Sequence, residues 1–267
     1  MPNAPLRDIV TYYEEAGRGE PLVLVMGLGG DLQAWRFQVA ELSKHFRVIT
    51  FDNRGAGRTS APDRPYSISG MAEDLNALLD ALQVDKAHIL GYSMGGYIAQ
   101  EFALAHPNRV NRLILLATAP SIDGYGRAIV ESWIDVRSSN MSREQVARHN
   151  APFLYSSALL DDRVRYDQAI RSSLANHWAQ EDHAFIRQAQ AVLGWDPGDR
   201  ASGIKAPTLI VAGEEDILVP PRNAEALGKL ISGSVVKMLS GGHVGCIEHP
   251  AEYNAAFLEH LAVAVPA

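Results

Sequence analysis

Seven short apolar runs rich in β-branched residues punctuate this sequence: Ile9 to Tyr13, Leu22 to Met26, Val48 to Asp52, Ala87 to Tyr92, Arg112 to Ala117, Thr208 to Gly213 and Val235 to Leu239. Their length and bounding residues predict strands. From Leu22 onward they show little polar alternation, as expected when helices cover both faces of a mainly parallel sheet. Between them, Gly70 to Leu82, Gly95 to His106, Arg222 to Ile231 and Ala251 to Val263 repeat apolar residues at helical spacing, and Pro107 and Pro250 bound two of them. The pattern predicts an α/β fold. Residues 121–203 break the rhythm with helical patterns and aromatics but no strand. The expected organisation is therefore a core of residues 1–120 and 204–267 with an inserted helical cap at 121–203.

A chain of 267 residues can bury one large core. Its 31 acidic against 24 basic residues give a net charge of −7, the wrong sign for binding a phosphate backbone, so no nucleic-acid partner is expected. Cys246 is the single cysteine, which excludes an internal disulfide and a paired-cysteine zinc site. There is no His-Glu-x-x-His and no Walker lysine motif, so neither a metal nor a cofactor is expected. The opening MPNAPLRDIVTYYEEAG lacks the basic end and apolar run of a signal peptide, and no stretch approaches 18 uninterrupted apolar residues. A cytoplasmic location without membrane contact is the expectation; oligomeric state has no sequence signal.

The richest window is HILGYSMGGYIA, residues 88–99, where a predicted strand runs into Gly91-Tyr92-Ser93-Met94-Gly95 and on into a predicted helix. This is Gly-x-Ser-x-Gly in the strand–turn–helix context that gives the motif meaning. On so sharp a turn a side chain at 91 or 95 would collide with neighbouring backbone. The serine hydroxyl projects above the strand end, and the free N–H groups and dipole of the helix that follows favour a developing negative oxygen.

A serine hydroxyl is a weak nucleophile without a positioned base, and the base needs a carboxylate behind it. Of nine histidines, His243 in Ser240-Gly241-Gly242-His243 follows the last predicted strand on a loop able to reach the sheet edge. His45, His88, His106, His249 and His260 fall in a strand or on amphipathic faces and their ends, where structural roles are expected. For the acid, Asp216 lies in the loop after the preceding strand, with Glu214 and Glu215 as competitors. The order Ser93, Asp216, His243 favours Asp216, because it is the order used with this strand–turn–helix elbow. Two N–H donors would hold the oxyanion: that of Met94, the residue after the serine, and that of Leu28 in Met26-Gly27-Leu28-Gly29-Gly30. These glycines do not form a dinucleotide fingerprint, which would need glycine where Leu32 stands, and the Gly55-Ala56-Gly57 run fails likewise at Ser60.

Five blocks, VLVMGLGG, FDNRGAGRTS, LGYSMGG, PTLIVAGEEDILVP and GGHVGCIEHP, resemble the α/β-hydrolase-fold enzymes in order and over essentially the whole chain. The resemblance implies a Ser93–His243–Asp216 triad, oxyanion N–H groups at Leu28 and Met94, and a lid formed by the inserted segment. Within the family the closing block, with QAQAVLGWDPGDRASGIKAP, is similar to 3-oxoadipate enol-lactonases and small carboxylesterases. The sequence departs from many members in having Met26 rather than histidine before Gly27. The oxyanion donor is backbone, so activity should survive, but the polar link made by that histidine is lost. Serine in place of aspartate at the elbow disfavours epoxide hydrolase and haloalkane dehalogenase activities.

Trp133, Phe153, Tyr155, Trp178, Phe185 and Trp195 lie in the insert and could wall an apolar pocket. Tyr92, Trp133, Phe153 and Trp178 are the expected substrate contacts. An enol-lactone with a carboxylate tail would need one arginine turned inward from among Arg127, Arg137, Arg143, Arg148, Arg163, Arg165, Arg171 and Arg187. The apolar neighbours of Ser93 favour uncharged esters. Cys246 has no base of its own and is read as packed. The expected activity is hydrolysis of a small-molecule ester or lactone through an acyl-enzyme. Its rivals are a carbon–carbon bond hydrolase of ring-cleavage products using the same triad, and a slow-turnover ligand-binding receptor on the same fold.

Overall fold

The computed structural model describes residues 2–261. It contains eight strands: β1 (Asn3–Leu6), β2 (Ile9–Ala16), β3 (Pro21–Val25), β4 (Arg47–Phe51), β5 (Ala87–Tyr92), β6 (Val110–Leu116), β7 (Thr208–Gly213) and β8 (Val235–Leu239). They form one sheet in the order β1-β2-β4-β3-β5-β6-β7-β8. The β1–β2 and β2–β4 pairs are antiparallel; all later pairs are parallel. Every residue of β5 and β7 is buried, which explains why these strands are apolar apart from His88 and Thr208. The edge strand β1 was not anticipated. It is four residues long and holds Pro5, which only an edge strand tolerates, so it leaves no periodic signal.

The helices are α1 (Arg36–Leu42), α2 (Ile68–Ala81), α3 (Met94–Ala105), α4 (Gly124–Arg137), α5 (Arg143–Leu154), α6 (Ser157–Asp161), α7 (Arg163–Leu174), α8 (Asp182–Leu193), α9 (Arg222–Leu230), α10 (Gly245–Glu248) and α11 (Pro250–His260). The helix expected from Ala251 to Val263 corresponds to α11, while positions 262 and 263 lie outside the described residues. Two apolar clusters sandwich the sheet. One joins Val23, Ile49, Ile89, Leu113 and Ile210 to α2, α3 and α9; the other joins Leu24, Leu90, Ile114 and Val211 to Trp35, Leu42 and α11. Alternate residues of each strand thus bury into opposite layers.

Between β6 and β7 the chain forms α4 to α8 and no strand. Phe185, Ala189 and Val192 of α8 join the first core cluster with Ile129, Val130 and Trp133 of α4, so the insert is packed onto the sheet layer rather than tethered beside it. No helix among the described residues is long and apolar enough to cross a membrane.

Candidate active site

Strand β5 delivers Ser93 at its carboxyl end. The residue adopts φ +54° and ψ −120°, a conformation that a non-glycine residue holds only when its surroundings enforce it. They do so at close range: a Cβ at Gly91 would lie 2.3 Å from the Gly95 carbonyl oxygen, and one at Gly95 only 2.1 Å from that of Val25. Ser93 N–H donates to Leu116 O at 2.9 Å, and the Thr118 hydroxyl donates to Ser93 O at 2.9 Å, so β6 holds the turn from its other side. As the first residue of α3, Met94 has an N–H without an intrahelical acceptor.

The loops after β7 and β8 bring Asp216 and His243 to the same place. Glu215 N–H donates to Gly241 O at 3.0 Å, joining the two loops directly. His243, 3% exposed, places Nε2 3.1 Å from Ser93 Oγ and Nδ1 2.8 Å from Asp216 Oδ2. Asp216, 2% exposed, accepts from the N–H groups of Leu218 and Val219 on its other oxygen, at 2.9 and 2.8 Å. Three donors around the buried Asp216 carboxyl hold it in place, and its contact with Nδ1 turns the other ring nitrogen, Nε2, toward the Ser93 hydroxyl. The Tyr92 ring packs 5.1 Å from the His243 ring and limits its rotation.

The competing acids have other partners. Glu215 accepts from the N–H and hydroxyl of Ser157, which lowers its pKa, and Glu214 is exposed. Glu248, which no sequence signal singled out, accepts from Gly242 N–H at 3.1 Å and from the N–H and hydroxyl of Ser156. Consecutive serines at the start of α6, Ser156 at its N-cap and Ser157 as its first residue, therefore tie the insert to the loops that carry Asp216 and His243. His88 and His106 contact Glu20 and Glu73 away from Ser93, at 2.9 and 2.8 Å. Burial pushes the Cys246 thiol up to about 12, which leaves it protonated and unreactive at neutral pH.

Ser93 and His243 open onto a cavity of about 900 Å³. Its lining is mixed. Tyr97, Val130, Trp133, Val192, Leu218 and Val219 are apolar; Gln33, Arg36, Arg165, Gln168 and Ser173 are polar and exposed, and Asp31 and Glu248 add two carboxylates. Leu28, Met94, Tyr92 and Trp133 lie on the lining. Phe153 and Trp178, the other two expected contacts, lie elsewhere. Phe153 does not line the cavity and packs edge-on to Trp133, 6.2 Å between ring centres; Trp178 is 46% exposed and lies beside the Arg58 guanidinium. The pattern of α5, which carries Phe153, does not show which side of the helix the cavity takes, and Trp178 lies in the connection between α7 and α8. Of the eight arginines considered in the insert, Arg165 alone lines the cavity, and it has no ion-pair partner among the described residues.

The sequence profile of the alpha/beta hydrolase fold matches residues 20–250. The chain belongs to that family. A relative from Azorhizobium caulinodans, named carbamate hydrolase RutD, is 30% identical over 97% of both chains. The 3-oxoadipate enol-lactonase 2 of Acinetobacter baylyi is 28% identical, covering 94% of this chain and 92% of that one. Among solved structures, the enol-lactonase from Burkholderia xenovorans LB400 superposes with a TM-score of 0.89 at 27% identity, covering 97% of this chain and 99% of that one. The eight-stranded sheet with its flanking helices is thus the alpha/beta hydrolase fold, and the names carried by these relatives are hydrolase names.

Proposed function

We propose that this protein is a serine hydrolase that cleaves a carboxylic ester or lactone through an acyl-enzyme on Ser93. The observation that carries the reading is the continuous relay at the cavity wall, with His243 3.1 Å from Ser93 Oγ and 2.8 Å from Asp216. In the proposed cycle His243 Nε2 takes the Ser93 proton as Oγ bonds to the substrate carbonyl carbon. Asp216 stabilises the resulting imidazolium, and the N–H groups of Leu28 and Met94 receive the oxyanion. Collapse breaks the carbon–oxygen bond, and the leaving oxygen takes the proton from Nε2. With a lactone that alcohol stays attached to the acyl group. Water, deprotonated by His243, then releases the acid and restores Ser93. Residues 121–203 act as the cap in this reading, since α4, α7 and α8 supply much of the cavity wall, with 1–120 and 204–267 as the core.

The test is a kinetic panel of short and long p-nitrophenyl esters and lactones, with a vinylogous 1,5-diketone as the carbon–carbon arm, alongside fluorophosphonate labelling. Multiple turnovers on esters or lactones with labelling at Ser93 support the proposal. Turnover of the diketone alone would assign the triad to carbon–carbon cleavage, and labelling without turnover would leave a receptor.

The charged part of the lining refines this reading of the substrate. The Asp31 and Glu248 carboxylates on the lining already accept from Gln33 N–H and Asn176 and from Gly242 N–H and Ser156, whereas the exposed Arg165 and Arg36 have no carboxylate partner among the described residues, so a substrate with an apolar body and an anionic end fits this cavity. Arg165→Gln is expected to lower kcat/KM for an ester ending in a carboxylate by about tenfold, and for the matching methyl ester by less than about twofold. Equal losses on both substrates would remove Arg165 from recognition.

A further inference from the structure

Position 26 is methionine, so the loop that offers the Leu28 N–H has no polar side chain of its own at its start. Its backbone is nevertheless anchored one peptide after another. Asn53, 2% exposed, donates from Nδ2 to the Met26 carbonyl at 2.7 Å. The Gly27 carbonyl accepts from Gly30 N–H at 3.4 Å, and Gly29 N–H donates to Gln188 Oε1 at 3.5 Å. Gln188 is fully buried, and its Nε2 donates to Arg54 O at 2.8 Å, so one side chain of α8 spans the loops that follow β3 and β4. The Leu28 N–H, between these anchors, has no hydrogen-bond partner among the described residues. The loop lies against the serine: a Cβ at Gly27 would be 3.0 Å from Ser93 Cβ.

An unsatisfied N–H on the lining, flanked by fixed peptides, is what a preorganised oxyanion donor requires. Fixing Met26 O sets the first peptide plane, and fixing the Gly27 carbonyl sets the plane that contains Leu28 N–H itself. Two buried side chains from elsewhere in the chain secure the loop's ends, and neither reaches the cavity lining. We propose that Asn53 and Gln188 are positioning residues that aim the Leu28 N–H at the oxyanion, Asn53 through Met26 O and Gln188 through Gly29 N–H. The inference rests on the serine-hydrolase reading above.

The test uses Asn53→Leu, which keeps the branched outline with added bulk, and Gln188→Met, which is closer in volume; both remove the hydrogen bonds. Rates are expressed per Ser93 titrated with a fluorophosphonate. Two inhibitors separate ground from transition state: an alkyl trifluoromethyl ketone, which forms a tetrahedral adduct with its oxygen in the hole, and the matching methyl ketone, which binds without forming that adduct. Asn53→Leu is expected to lower kcat on p-nitrophenyl acetate by about tenfold or more with KM within about twofold, and to weaken the trifluoromethyl ketone by the same factor while sparing the methyl ketone. Gln188→Met should move the same quantities less, as its longer contact implies. Wild-type kcat per titrated serine in both variants would overturn the proposal, as would a parallel loss of both ketones. If Asn53→Leu does not fold, Gln188→Met decides on the same readouts. A wild-type protein that the fluorophosphonate does not label would instead sink the hydrolase reading before any variant is compared.

Discussion

Replacing Ser93 by alanine is expected to lower kcat on the best ester by on the order of 10⁵- to 10⁶-fold, the range found when a triad nucleophile is removed. The change deletes one oxygen, the atom 3.1 Å from His243 Nε2. It adds no volume, and alanine meets the same backbone demand at φ +54° as serine does. The fold should hold, with stability within about 1 kcal/mol of wild type. Residual catalysis of roughly 10³-fold over water should persist, because oxyanion donors and binding contribute without the nucleophile. Fluorophosphonate labelling must vanish, while calorimetry should still detect substrate binding in the cavity. A Ser93→Ala protein that turned over at the wild-type rate would place the chemistry on another residue. Cys246 could not take over, since its burial keeps the thiol protonated.

The parts of this molecule that were legible in sequence are those where one short segment carries its own physical reason. The central parts of strands β3 to β7, such as Leu22–Val25, Leu113–Leu116 and Leu209–Ala212, are buried on both faces, so they read as apolar runs without alternation, and that pattern survives any packing arrangement. The serine elbow is similarly local: the clashes that require glycine at 91 and 95 arise within one turn and the strand beside it. Chain order favoured Asp216 over Glu215, and in the structure Asp216 is 2.8 Å from His243 Nδ1 while Glu215 accepts from Ser157. The unread features depend on which residues meet across long sequence separations. Asn53 looks like any polar residue after a strand until Met26 O is 2.7 Å away. Gln188 stands among alanines on an amphipathic helix, and nothing in that spacing marks it as buried. Trp178 and Trp133 are equally aromatic, yet one is exposed and the other lines the cavity.

Asp216→Asn gives the second large effect, and the local hydrogen bonds dictate its mechanism. Oδ1 accepts from two backbone N–H groups, those of Leu218 and Val219. An asparagine there has one oxygen and one NH₂, and leaving two buried N–H groups facing the NH₂ would cost about 1–3 kcal/mol each. The oxygen therefore stays with the backbone, and the NH₂ turns toward His243 Nδ1. Nδ1 must then accept, which moves the imidazole proton to Nε2, where it faces the Ser93 hydroxyl as a donor. Geometry is kept and the base is lost. The expected fall in kcat is about 10⁴-fold, as measured for the same change in a triad protease. The rate of fluorophosphonate labelling should fall in parallel, because it also needs Ser93 deprotonated. Glu214→Gln, at an exposed neighbour without contact to His243, serves as the control and should leave both rates within about twofold. A loss below about tenfold in the Asp216→Asn protein would mean that His243 does not depend on Asp216 for its tautomer, and the acid would have to be sought elsewhere.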